Sequence, residues 1–222
     1  MNPLRTVIFI DGQNFKYNLG AFRFQGQGGQ IESRPYRLDE KHFLWREFFK
    51  GIIDKYNQST GWEHRLVRVY WYNAERMRPF EINEPAITKV LRDYPHLQGL
   101  TRDTLVDLAK KWYEEQRRYF DQTRDRVFEG IQRKERFLEF KYVGDYVLKP
   151  FEPYKLEQDN RGKFYYQGIR EGEKGVDVGI AVDMISKLSD YDVAVLVSGD
   201  ADFLPAVQYI KDRGTIKKCG NS

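Results

Sequence analysis

The 222-residue sequence predicts an α/β fold, a mostly parallel, doubly wound sheet with helices on its faces. Three observations predict it. "TVIFI" (6–10) and "DVAVLV" (192–197) are short, unbroken apolar runs rich in β-branched residues, as in strands buried on both faces. Between the strand-like runs lie segments whose apolar residues recur at steps of three and four, the period of a helix with one buried face. Each of the two apolar runs ends in carboxylates, Asp11 after the first and Asp200 and Asp202 after the second.

Taken in order, "TVIFI" is the first strand. "HFLWREFFKGIIDKY" (42–56) carries apolar residues at 43, 44, 48, 49, 52 and 53 and predicts a helix. "RLVRVYWYNA" (65–74) predicts a second strand, and Pro79 and Pro85 punctuate the loop or helix start after it. Residues 101–136 form the longest periodic segment, a long amphipathic helix broken at most once, with 10 basic and 8 acidic residues. "RFLEFKYVGDYVLKPF" (136–151) alternates like one strand, and 152–175 is polar with Asn-Arg-Gly turn chemistry, a hairpin or an irregular loop. "VDVGIAVDMISKL" (176–188) predicts a helix burying Val178, Ala181, Val182, Ile185 and Leu188. "DVAVLV" is the next strand, and "ADFLPAVQYIKDRG" (201–214) a helix stopped by Gly214.

Composition narrows the classes. No apolar run approaches the ~20 residues that span a bilayer, so no membrane partner is expected. The single cysteine, Cys219, excludes an internal disulfide framework and suits the reducing cytoplasm. His42, His64 and His96 are scattered without the spacing of zinc ligands. Net charge is +4, but it is unevenly spread: residues 1–100 hold 15 Lys and Arg against 11 Asp and Glu, and residues 176–222 hold 5 against 7. A basic excess permits a polyanionic partner without requiring one.

In open α/β sheets, ligands bind beyond the carboxyl ends of the strands. If the strands ending at Asp11 and before Asp200 are parallel neighbours, Asp11, Asp200 and Asp202 meet there, with Asp177 entering a helix nearby. Each alone can be a helix cap or a turn residue; four at one sheet edge are harder to explain that way. Crowded carboxylates raise one another's pKa unless a cation offsets them, and oxygen-only donors suit a hard ion, Mg²⁺ or Mn²⁺. Asp183, six residues beyond Asp177, lies about 240° round a helix and points elsewhere. Asn14 can orient a carboxylate or a phosphate beside Asp11. Lys16, Arg23, Arg34, Arg37, Lys174 and Ser198 are the candidates for holding substrate, with the Gly-rich "RFQGQGGQ" (23–30) as a clamp over a single strand.

"FIDGQN" (9–14), "EKGVDVGIAVDM" (173–184) and "VLVSGDADFLPAV" (195–207) resemble the NYN domain family, the LabA-like branch of the PIN-like nucleases. The blocks stand in the family's order and span residues 5 to 214. The resemblance implies a PIN-like three-layer α/β/α sandwich with an inserted helical region. It also implies metal-dependent cleavage of RNA by an endoribonuclease, with Asp11, Asp177, Asp200 and Asp202 as metal-binding and catalytic residues and Asn14 in support. It makes residues 1–222 one domain, with about 75–165 as a lineage-specific insertion. Similar domains continue past "KDRG" with another strand and a closing helix, whereas this sequence stops at "TIKKCGNS". The expectation is a truncated C-terminus or a homo-oligomer that covers the sheet edge. DNA stays open beside RNA as substrate. An inactive or regulatory PIN-like module binding RNA or protein is the alternative; a phosphatase of small esters fits less well, because "DGQN" has no second aspartate two residues after Asp11.

Overall fold

In the computed structural model, which describes residues 2–18, 24–25, 31–32, 44–213 and 219–221, the apolar run after Leu4 becomes strand β1 (Leu4–Asp11), with Thr6 to Asp11 all buried. It lies at the centre of a five-stranded sheet. On one side it pairs with β4 (His64–Asn73), and β4 with β6 (Leu138–Tyr142). On the other it pairs with β9 (Val193–Val197), and β9 with β10 (Cys219–Asn221). Every pairing in this sheet is parallel, as continuous apolar strands require. A pair of short antiparallel strands, β2 (Phe24–Gln25) and β3 (Ile31–Glu32), falls at the Gly-rich segment predicted as a clamp.

Alternate residues of β1 point to opposite faces, and each face has its own core. Ile8 and Ile10, with Val69, Trp71 and Val195, pack against Trp45 and Phe49 of helix α2 (Trp45–Thr60) and against Phe128 and Ile131. Val7 and Phe9, with Tyr72, Ala194 and Leu196, pack against Ile180 and Met184 of α6 (Val176–Ser186) and against Val207 and Ile210 of α7 (Leu204–Arg213). Helices on both faces of a parallel sheet make the three-layer α/β/α sandwich that the sequence predicts.

Part of the segment between β4 and α6 builds a second unit, while Phe128, Ile131 and β6 from the same segment join the main sheet and its core. Helix α3 (Glu84–Asp93) and helix α4 (Arg102–Gln122) pack through Ile87, Val90, Leu105 and Ala109 onto Phe151 and Leu156. Those two belong to β7 (Asp145–Gln158), which forms a long antiparallel hairpin with β8 (Phe164–Lys174) and a short parallel pair with β5 (Arg76–Met77). The long helix predicted over 101–136 is α4, a π-helical stretch (Thr123–Phe128) and α5 (Glu129–Lys134).

Two expectations are corrected. Residues 136–151 are two strands, β6 in the main sheet and the start of β7 in the hairpin, separated at Gly144. There φ is +74° and a Cβ would stand 2.2 Å from the carbonyl oxygen of Lys174, so only glycine makes the switch. In α6 the buried residues are Val176, Ile180 and Met184, while Val178 and Val182 are 67% and 57% exposed. That helix is apolar nearly all round, so its period alone does not select the buried stripe.

Candidate functional site

Parallel register brings the site together. Ile10 pairs with Val197, so the next residues, Asp11 and Ser198, leave the sheet side by side at its carboxyl edge. The strand ends are locked from below by Arg5, whose Nη2 lies 2.9 Å from Asp192 Oδ1 and whose carbonyl accepts the Asp192 N–H at 2.8 Å. Asp11 is only 7% exposed. Its Oδ1 accepts the Asn14 N–H at 3.0 Å, in the first turn of helix α1 (Gly12–Asn18), and its Oδ2 accepts the Ser198 hydroxyl at 3.0 Å. A negative charge at the start of a helix is favourable, which helps this carboxylate tolerate burial.

The chain of contacts continues outward. Ser198 Oγ accepts the Asp200 N–H at 3.2 Å, and Asp200 Oδ1 accepts the Asp202 N–H at 2.9 Å. Asp200 therefore caps the 3₁₀ turn Ala201–Phe203 that leads into α7. Both Asp200 and Asp202 are exposed. Asp177 stands in the first turn of α6, half-buried; burial pushes its pKa up, and the charges of Asp11, Asp200 and Asp202 push it further. Asn14 has its amide beside Gly199.

Asp183 lies away from this edge, accepting the Tyr72 hydroxyl at 2.8 Å with Lys187 Nζ at 3.3 Å. Lys174 is exposed at the end of β8, on a separate cleft lined by Arg78 and Phe80. Arg23, Arg34 and Arg37 lie outside the described residues.

Sequence reasoning gave no role to Glu173. At the end of β8, its Oε1 accepts the Ala74 N–H at 3.1 Å, and its own N–H donates to Gln13 Oε1 at 3.2 Å. Burial pushes its pKa to about 7; the Ala74 N–H and the Lys16 charge oppose the rise, and Asp11 and Asp177 add to it. Lys16 is exposed along much of its length, but its ammonium is crowded by protein 5.0 Å over the Phe128 ring, and desolvation lowers its pKa. The available signal was position: Glu173 opens the block that contains Asp177, although it sits in a stretch polar enough to read as a loop.

Glu173 makes a testable pH dependence. Its proton leaves near the usual 4.5 in the unfolded chain and near 7 in the folded one. Between those values the unfolded state binds fewer protons, so the metal-free protein should lose stability as pH rises from about 4.5 to 7. Glu173→Gln should flatten that decline, a change on the order of 1–3 kcal/mol at pH 7. Urea unfolding at several pH values measures it; an unchanged slope would contradict the burial of this carboxyl.

Among the described residues, no three His, Cys, Asp or Glu side chains are placed to hold one metal ion between them. A fully protein-built cage is therefore absent from that set. Mg²⁺, however, keeps several waters and binds through one or two carboxylates together with substrate phosphate oxygens. The donors here are all oxygens, and Asp177 carries the unrelieved repulsion of three other carboxylates. Those properties fit a hard divalent ion held in part through water.

A family model agrees with this architecture. The NYN domain family matches residues 109–218, which include Asp177, Asp200 and Asp202. No curated protein matches the chain. One solved structure, a protein of unknown function from Vibrio parahaemolyticus, is 17% identical with a TM-score of 0.36, covering 99% of this chain and 80% of that one. No helix among the described residues is long and apolar enough to cross a membrane. With its parallel sheet, its two helical layers and its match over residues 109–218, the chain belongs to the NYN domain family, which has a nuclease-like PIN fold.

Proposed function

We propose that this NYN domain is a metal-dependent ribonuclease that hydrolyses phosphodiester bonds of single-stranded RNA in the cytoplasm. The observation that carries the reading is the carboxylate group at the carboxyl ends of β1 and β9. Asp11 is buried and fixed by Ser198 and Asn14, and Asp177 is raised in pKa by burial and by Asp11, Asp200 and Asp202. A module that only bound a polyanion would gain nothing from concentrating negative charge where the polyanion must lie. The whole of residues 1–222 is then one domain with an insertion at about 75–165. The separate core beneath β7 supports that division, although β6, from the same stretch, completes the main sheet.

Asp11, Asp177, Asp200 and Asp202 would hold Mg²⁺ or Mn²⁺, which when bound neutralises charge at the scissile phosphate and lowers the pKa of a water. The protein supplies the rest. The Asn14 N–H and the Ser198 hydroxyl keep the Asp11 oxygens in one orientation. The 3₁₀ turn places Asp202 beside Asp200 at the solvent edge, where a strand can reach them. Glu173, with a pKa near 7 and behind Asp11 and Asp177, is suited to take or return a proton at the edge of the site.

The test is cleavage of end-labelled single-stranded RNA and DNA with Mn²⁺, Mg²⁺ or EDTA, with Asp200→Asn protein as the contamination control. RNA should be cut with either ion, and cutting should stop in EDTA and in the variant. Equal cutting by wild type and variant would end the assignment.

A further inference from the structure

A cavity of about 200 Å³ opens between the inserted helices and the hairpin, with Lys16 and Glu173 on the wall shared with the acidic edge. Five aromatic side chains are part of its lining. Phe120 and Tyr146 lie 5.7 Å apart at 30°, Tyr142 and Phe128 add two more rings, and Tyr119, 69% exposed, stands at the boundary with solvent. A water occupies about 30 Å³, so the space takes a planar ring system and not merely one or two solvent molecules.

Two independent features mark the cavity as a binding site rather than a packing defect. Asn73, 3% exposed at the end of β4, lines it, and neither its Nδ2 nor its Oδ1 has a hydrogen-bond partner among the described residues. Each of its amide atoms exposes less than 1 Å², and Oδ1 lies beside Gly12, so the side chain turns toward the cavity to pair with a ligand and thereby recovers the roughly 1–3 kcal/mol that an unpartnered buried amide costs. The π-helical stretch Thr123–Phe128 supplies Thr123, Arg124 and Phe128 to the same lining. π-Helical turns are rare and concentrate at functional sites. Here the Thr123 hydroxyl donates to the Tyr119 carbonyl at 2.9 Å, which helps the helix open.

We infer that this cavity binds one unstacked nucleobase of the substrate strand, next to the phosphate held at the carboxylates. Single-stranded nucleic acid is recognised by stacking splayed bases on aromatic rings and hydrogen-bonding their edges, and an Asn amide can donate to and accept from one base edge at once. Glu173 links the two places: its carboxyl lines the cavity and also feels the charges of Asp11 and Asp177. The inference rests on the nuclease reading for its ligand class. It adds that cleavage has a preferred position relative to one recognised base.

Anisotropy binding to the full chain tests it, with single-stranded RNA oligonucleotides carrying one abasic site walked along the strand. Measurements in Mg²⁺ use an Asp200→Asn background, so that the strand stays intact. One position should weaken binding by roughly 5- to 100-fold when its base is removed, the worth of a stacked base. Tyr119→Ala, at an exposed position where folding is not at stake, and Tyr146→Leu should each weaken binding of the intact strand. Both should also shrink the abasic effect at that same position. An abasic profile that is flat, or a peak unmoved by both substitutions, would overturn the cavity's role and leave the nuclease reading standing. A single-position peak on strands that wild-type protein never cuts would keep the base site and remove the nuclease. Failure to bind any strand would remove both.

Discussion

Asp11→Asn should reduce metal-dependent cleavage by about 10³-fold or more while leaving the fold intact. The loss is expected because Asp11 is the buried member of the carboxylate group, and an amide oxygen is a weak ligand for a hard ion. The fold should survive because both hydrogen bonds can persist: the amide Oδ1 still accepts the Asn14 N–H, and the Ser198 hydroxyl can turn to accept from Nδ2. Two electrostatic changes oppose each other. The charge at the start of α1 is lost, worth about 0.3–1 kcal/mol, and repulsion on Asp177 falls. Metal-free melting temperature should therefore be unchanged or slightly higher than wild type. Excess Mn²⁺ should reverse the order, since saturation a hundredfold above Kd stabilises only the binding-competent protein, by about 2.7 kcal/mol. A variant that fails to fold would mark Asp11 as a structural cap.

Gly12→Ala, at the start of α1 where it packs on β4, should be strongly destabilising for a single added methyl. A Cβ at residue 12 would stand 2.3 Å from the Tyr72 carbonyl oxygen, 2.4 Å from Trp71 Nε1 and 2.6 Å from Asn73 Oδ1. The first of these is backbone of β4 paired to β1, so it cannot move without disturbing the register that sets Asp11 beside Ser198. Overpacking of this kind costs about 1–3 kcal/mol, or roughly 2–12 °C in melting temperature for a chain of this size. Activity should fall with it, because α1 carries the N–H that orients Asp11. Gly51→Ala is the comparison: within α2, with nothing inside 4 Å of its Cβ, it should gain about 0.5–1 kcal/mol. Equal effects at the two positions would contradict the close approach of α1 to β4.

How much of this is legible in the sequence depends on how local each signal is. Strands β1 and β9 are continuous apolar runs, and carboxylates just beyond them could be placed at one edge because parallel neighbours share a direction. Asp183 was legible as a non-member from helical angle alone, and it does bond to Tyr72 and Lys187 instead. The stripe of α6 was not legible, because a helix apolar all round has no weak face. The break at Gly144 was hidden by alternation that runs through both strands, and only the contact with Lys174, distant in sequence, requires it. Glu173 and Asn73 escaped for the same reason. Their surroundings come from β8 meeting Ala74 and from Gly12 of α1 packing beside Asn73, long-range contacts that leave no period in the local sequence.

Whether the carboxylates at the ends of β1 and β9 hold a metal is best decided by anomalous scattering from a crystal of the protein soaked in Mn²⁺, which locates the ion without relying on activity. A peak is expected at the carboxyl edge of the sheet, within coordination or one-water distance of Asp11 and of Asp177 or Asp200, and it should be lost in Asp11→Asn crystals. Mn²⁺ bound elsewhere, or no peak at these carboxylates under conditions that support cleavage, would contradict a metal-dependent nuclease built on this edge.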